Sequence, residues 1–310
     1  VVALSIGANL IWTLIAIVLG SLFGTFFMAF HSAQGPQLGL PQLVQSRAQF
    51  GYIGAAITVW IFALINYWAY NTSDAILSGG AINALIPSIP ASIGFIIAAV
   101  VASVIAIYGY DQIHAVNKVL LWPSIVIMAL LTVGVFTRGS FPEGAFDLSN
   151  FQLAPFMTVF VIIAGFQLGW APYVSDYSRY LPGNIGVSPT FKWTYLPSAL
   201  SGVWVFGMGA LASGPDGTLT PIAAFKAVGD SIFNGFGLIA LIILLLGLLA
   251  VMAINAYGGS LALISMLDSF KPVKPTKTIR MTAVILMGVA VWATAAIVGE
   301  AKFNVFYGNA

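Results

Sequence analysis

Eight apolar runs, each long enough to cross about 30 Å of hydrocarbon, constrain this chain more than anything else in it. They lie near 11–30, 52–77, 92–109, 119–137, 156–175, 196–213, 236–265 and 281–299. Every backbone N–H and C=O in a bilayer needs a partner within the protein, so runs of this length and character are helices. Charged residues are 6% of the chain, against roughly 25% in soluble domains. The connections are mostly short, with turn formers such as Ser78-Gly79-Gly80 and Gly183-Asn184-Ile185-Gly186. These features predict an all-α membrane protein with eight transmembrane helices in a single domain over 1–310.

Lysine and arginine set the sidedness. If the loop after the first run is cytoplasmic, that side collects Arg47, Lys118, Arg179, Lys192, Lys271, Lys274, Lys277 and Arg280, leaving Arg138, Lys226 and Lys302 opposite. The bias follows the positive-inside rule and places the chain in the cell membrane, with lipid as its surroundings. A net charge of +2 is too small and too scattered to attract nucleic acid. With no cysteine and only His31 and His114, neither a disulfide nor a metal site is expected. The chain opens on Val1 and closes on Phe303-Asn304-Val305-Phe306-Tyr307-Gly308, which reads as the start of something cut off. A piece of a longer protein is therefore expected.

The fifth run is interrupted. Ala164-Gly165-Phe166-Gln167-Leu168-Gly169-Trp170-Ala171-Pro172 places two glycines, a proline and an amide inside an apolar span. Such a break survives in a bilayer only where protein or a water-filled cavity covers it. Transporters put substrate sites at breaks of this kind. Residues 165–172 are expected to be unwound, with Gln167 offering a donor and an acceptor and Phe166 and Trp170 offering ring faces. Packing aromatics, with Gln167 bonded to a carbonyl freed by Pro172, would be the alternative.

Two further polar groups lie at depth. Tyr67, Asn71 and Asp74 follow i, i+4, i+7 spacing and share one helical face. Asp74 is the one acid inside a span, and an intramembrane ionisable group is by default a functional candidate. Asn71 and Asp74 could instead bond a neighbouring helix. Asn255, in Ala253-Ile254-Asn255-Ala256-Tyr257-Gly258-Gly259-Ser260, is an amide beside two glycines. Close helix packing would explain that pair as well as a cavity would. No paired carboxylates at depth, phosphate-binding glycine loop or nucleophile–base pair is present, so an enzyme is not expected.

Three segments carry a family resemblance. They are His31-Ser32-Ala33-Gln34-Gly35-Pro36-Gln37-Leu38-Gly39-Leu40-Pro41 with Ser46 to Gly51, Gly169 to Tyr173 with Ser175-Asp176-Tyr177-Ser178-Arg179-Tyr180, and the Asn255 region. Here the chain resembles the cytosine/purine permease family of nucleobase–cation symporters, which includes hydantoin transporters. The resemblance implies a LeuT-like core of two inverted five-helix repeats. This chain would hold about helices two to nine, without the first helix or the tenth onward. It also implies substrate contacts at Tyr67 and Asn71, at Phe166 and Gln167, and at Asn255 and Gly259, to which the reading of the broken span adds Gly165 and Trp170.

Sodium-coupled relatives carry adjacent hydroxyl residues before this asparagine. Ala253 and Ile254 stand there instead, which favours proton over sodium as the coupling cation, with Asp74 a participant and no other cofactor. The function expected is import of a nucleobase or related heterocycle (cytosine, purine, allantoin or hydantoin type) by alternating access. A channel or passive pore for small polar solutes is the alternative.

Overall fold

A computed structural model of the chain describes residues 9–137, 141, 143–212, 220–274 and 276–308. Among the described residues all regular structure is helical. Leu10–Ser32 (α1) precedes two short helices, Gln34–Leu38 (α2) and Gln42–Gln45 (α3). Arg47–Thr58 (α4) continues through a π-helical turn, Val59–Leu64, into Ile65–Leu85 (α5). Ala91–Tyr108 (α6), Tyr110–Thr137 (α7), Leu153–Leu168 (α8) and the single turn Ser175–Ser178 (α9) follow. Val187–Ala212 (α10), Pro221–Asp230 (α11), Phe236–Asp268 (α12) and Lys277–Gly308 (α13) complete the described chain.

Six of these helices are long and apolar enough to span a bilayer alone, and α4 with α5 would make a seventh span. The eighth, α8, has 16 residues, about 24 Å at 1.5 Å per residue, and so stops short of a full crossing. One expected boundary was wrong. Ser78-Gly79-Gly80 does not end its span, because α5 runs on to Leu85. A Cβ built on Gly94 of α6 would lie 2.7 Å from the Gly79 Cα, so these glycines serve a close helix crossing rather than a turn.

The chain divides into two compact units, each drawing on both halves of the sequence. The first holds α1 to α4 and α8 to α10. Asn9 opens α1: its side-chain oxygen accepts from Ile11 N–H at 3.0 Å, while its Nδ2 donates to Gly144 O at 2.8 Å. Satisfying a helix's first N–H groups in this way is the usual work of an N-cap. Further along, α1 lies directly on α8. A Cβ on Gly20 would come within 2.8 Å of Phe160 O, and one on Gly24 would overlap Ala164 O. Small residues four apart permit such an approach between membrane helices. Leu10, Ala16, Ile17, Val159 and Ile163 fill the apolar contact beside it.

The second unit holds α5 to α7 and α11 to α13. Its core gathers Ala75, Ile76, Phe95, Ala98, Ala102, Met252, Val291 and Ala295. Asp230 organises the entry to α12: its Oδ1 accepts from Gly235 N–H at 3.2 Å and from Gly237 N–H at 3.0 Å. Lys226 pairs with its other oxygen at 2.6 Å. That hydrogen bond is the main reason its carboxyl titrates below the usual range. Between α6 and α7 the chain reverses at Gly109, whose φ of 98° a side chain would resist.

Candidate substrate site

In the first unit the helix break begins later than expected. α8 remains helical through Gly165, Phe166 and Gln167, and Gly169 N–H still bonds Gly165 O at 2.8 Å. An isolated glycine weakens a helix without ending it. Pro172 ends it, since its ring nitrogen has no proton to give to Leu168 O. Ala171 N–H takes that carbonyl instead, at 2.9 Å, and Trp170 and Tyr173 likewise bond three residues back. The irregular stretch is therefore 169–174, and the expectation of unwinding from 165 is corrected.

Gln167 is 5% exposed. Its Nε2 donates to Ser198 O of α10 at 3.3 Å. A Cβ on Gly202 would overlap that nitrogen, so the glycine makes the room that the amide fills. The carbonyl it bonds belongs to α10, next to Pro197, and not to the break at Pro172. Phe166, 37% exposed, meets Phe206 edge-on with centroids 5.1 Å apart. Trp170 meets the buried Tyr173 edge-on at 5.5 Å. Gly165 has open space where a side chain would be. Successive positions on α8 thus differ in surroundings: Gly165 and Phe166 are exposed while Gln167 turns inward.

In the second unit α5 crosses α12. Asn71, 3% exposed, donates from Nδ2 to Met252 O at 3.2 Å. Its Oδ1 is buried, and no donor reaches it among the described residues. Asn255, also 3% exposed, lies one turn beyond Met252. Tyr67 is buried against the glycine pair: a Cβ on Gly258 would sit 2.5 Å from Tyr67 Oη, and one on Gly259 3.3 Å from Tyr67 Cβ. The room left by these glycines is occupied by Tyr67. Asp74 is half-buried, and no hydrogen bond or ion pair to it is present among the described residues. Tyr67, Asn71 and Asn255 are thus brought together at one crossing.

Sequence reasoning named the two segments that carry the strongest resemblance but not their contact. In the first unit they are fastened to each other. Ser175 Oγ donates to His31 O at 2.8 Å and Ser178 Oγ to Ser32 O at 2.6 Å. Asp176 Oδ1 accepts from Gln42 N–H at 2.7 Å, thereby capping α3, whose own N-cap is Pro41. Gln42 Nε2 donates to Gln34 Oε1 at 3.1 Å. Burial pushes the Asp176 carboxyl up to about 6, against the opposing pull of Gln42 N–H and Arg179. The signal that could have found it was an acid held between two polar motifs where charge is scarce.

The model of a family described as permeases for cytosine/purines, uracil, thiamine and allantoin matches residues 1–307. A Bacillus subtilis (strain 168) protein, YxlA, which carries the name of a purine-cytosine permease, is 39% identical over 210 residues, 68% of this chain and 45% of that protein. The purine-cytosine permease FCY2 of Saccharomyces cerevisiae is 26% identical over 183 residues, 57% of this chain and 34% of that one. The chain thus spans less than half the length of these relatives. Among solved structures, Mhp1, a nucleobase-cation-symport-1 transporter closed on bromovinylhydantoin, aligns with 99% of this chain and 72% of its own. Its TM-score is 0.68 at 18% identity. A manganese transporter of Eremococcus coleocola aligns at TM-score 0.59 and 16% identity, over 99% of this chain and 71% of its own. These likenesses bear out the all-α, LeuT-like fold class.

Proposed function

The chain belongs to the family of permeases for cytosine/purines, uracil, thiamine and allantoin, and from that premise we propose that it serves a symporter importing a nucleobase or related heterocycle by alternating access. It is a multi-pass integral protein of the cell membrane, and its family is one of permeases rather than enzymes. One observation carries the transport reading. The apolar helix α8 breaks at 169–174, two residues beyond a buried amide, as the interrupted helices of secondary transporters do at their substrate sites.

Within the first unit the proposed contact residues are Gly165, Phe166, Gln167 and Trp170; within the second, considered by itself, they are Tyr67, Asn71, Asn255 and Gly259. Ring stacking and a few hydrogen bonds in a water-poor pocket would supply the affinity. A proton is the proposed coupling ion, because Ala253 and Ile254 offer no side-chain oxygen to sodium, and Asp74 is the proposed carrier.

Uptake of labelled cytosine, adenine, uracil, allantoin and hydantoin into vesicles bearing the full-length protein tests this. Saturable accumulation driven by an inward proton gradient, indifferent to sodium, is the expected outcome. Gln167→Ala should weaken it five- to 150-fold, roughly the 1–3 kcal/mol of one lost buried partner. Non-saturating flux would mean a pore. Unchanged proton-driven uptake in Asp74→Asn would remove that residue from coupling.

A further inference from the structure

In the first unit α1 presents Phe23, Phe26 and Phe27, all exposed. With Phe160 of α8 and Tyr195 of α10 they line a cleft of about 560 Å³. The rings hold one another in place. Phe191 and Tyr195 stack with centroids 5.4 Å apart and planes 11° from parallel, and Phe26 meets them edge-on at 5.6 and 6.5 Å. Phe23 lies 5.1 Å from Phe27 and 5.6 Å from Phe160. Tyr195 Oη donates to Leu22 O at 3.4 Å, tying α10 to α1 beside the cleft. A cleft walled by side chains fixed in this way exists before anything enters it, so little ordering has to accompany binding.

The cleft has a length and a charged end. Its α1 wall runs from Leu19 to Phe27, about 12 Å at 1.5 Å per residue. That is close to the depth of one leaflet, half of about 30 Å. One turn beyond Phe27, Phe30 meets Phe191 at 6.0 Å, which brings the start of α10 level with the last turn of α1. Lys192 and Trp193, both exposed, stand there. Lys192 lies three residues from Tyr195, on the neighbouring side of the helix. In the same unit Arg47 lies over the Tyr52 ring and Arg179 over that of Tyr180, whereas neither a hydrogen bond nor an ion pair engages Lys192 among the described residues. The acids of the unit are occupied or distant. Asp176 is turned to Gln42 N–H, and Glu143 and Asp147 belong to the loop that meets Asn9 at the opposite end of α1.

We propose that this cleft holds an acyl chain of an anionic phospholipid whose phosphate pairs with Lys192 Nζ. Lipid tails are as apolar as leucine, so apolar burial alone gives no preference among lipids in a bilayer. Preference arises here from the fixed shape of the cleft and from the free cation at its end. The positive-inside rule puts that end at the cytoplasmic surface, where anionic lipids are found. Trp193 is a side chain of the kind that settles at headgroup level. The proposal is independent of the substrate reading above, since the lipid is bound whether or not a heterocycle is carried.

Phosphatidylglycerol and phosphatidylcholine bearing the same photoreactive diazirine acyl chain test this. Each is added at trace level to nanodiscs of unlabelled phosphatidylcholine that hold the full-length protein, and after illumination mass spectrometry reads which residues carry lipid. Phosphatidylglycerol should label the stretch from Leu19 to Phe27, Phe160 or Tyr195 about five-fold more than phosphatidylcholine, the size expected of one lysine near an anionic headgroup. Lys192→Gln should bring that ratio to about one. Lys277→Gln, which removes an equally free lysine of the second unit, should leave it unchanged. Equal labelling of wild type by the two lipids overturns the proposal, whether or not the variants fold. A ratio undiminished in Lys192→Gln, or lowered as far by Lys277→Gln, also overturns it, because the preference would then belong to surface charge elsewhere. Absence of label from the cleft overturns it too, and a dimer seen by native mass spectrometry in that case would give the face to a second copy.

Discussion

The α8 break and the α5–α12 crossing are opposite ways of placing an amide in an apolar interior. At the break, regular structure is given up. Proline removes one helical hydrogen bond, the next turns tighten, and Gln167 reaches a neighbouring helix through a gap left by Gly202. At the crossing, no helical turn is lost. Gly258 and Gly259 let the Tyr67 ring lie on the α12 backbone, and Asn71 bonds a carbonyl of that same helix. Irregular backbone frees polar groups and must then satisfy them. Close packing of regular helices leaves the backbone whole and puts the unmet polarity on a side chain.

If that contrast is right, the largest effect should come from the contact that supports the break. Gly24→Val places a side chain where Ala164 O already stands, and a backbone atom cannot step aside. A loss of about 3 kcal/mol or more is expected, at the upper end for overpacking, seen as low yield and early thermal unfolding. Normal stability would show that the α1–α8 approach is incidental to the break.

A smaller effect is expected at the crossing. Gly258→Ala should cost about 1–3 kcal/mol, because Tyr67 is a side chain and can shift. Combining it with Tyr67→Leu should cost less than the sum of the single changes, a coupling readable in a double-mutant cycle of melting temperatures. Strict additivity would mean that the two residues do not share the space assigned to them.

Asp176 sharpens the comparison through pH, with the smallest expected shift. Burial raises its carboxyl to about 6, above the ordinary range of about 4 that it has in the unfolded chain, so the folded form holds a proton that the unfolded form releases. Stability from this group is full below the lower value and is lost as pH rises through the upper one. Asp176→Asn keeps an oxygen for Gln42 N–H and removes the titration. Melting temperature between about pH 4 and 6 should then lose part of its slope, with a gain of about 2 kcal/mol or less above pH 7. An unchanged pH profile would place the charge in water.

Much of this was legible in the sequence, and the misses have physical causes. Apolar runs located every span, and the three amides at depth, Gln167, Asn71 and Asn255, are all buried. Where the break starts was misread, because glycine permits unwinding whereas only proline compels it. The partners of Gln167 and Asn71 lie 31 and 181 residues away, and no local pattern encodes such a distance. Ser78-Gly79-Gly80 looks like a turn until a second helix is laid across it.

α1 is attached to the interrupted segment at three levels. Asn9 and Ile11 hold Gly144 and Ala145 ahead of α8, Gly20 and Gly24 press on its middle, and His31 and Ser32 receive Ser175 and Ser178 beyond the gap. One helix thus holds the chain before, along and beyond the discontinuity, which gives the broken stretch its contour without a regular helix to define it.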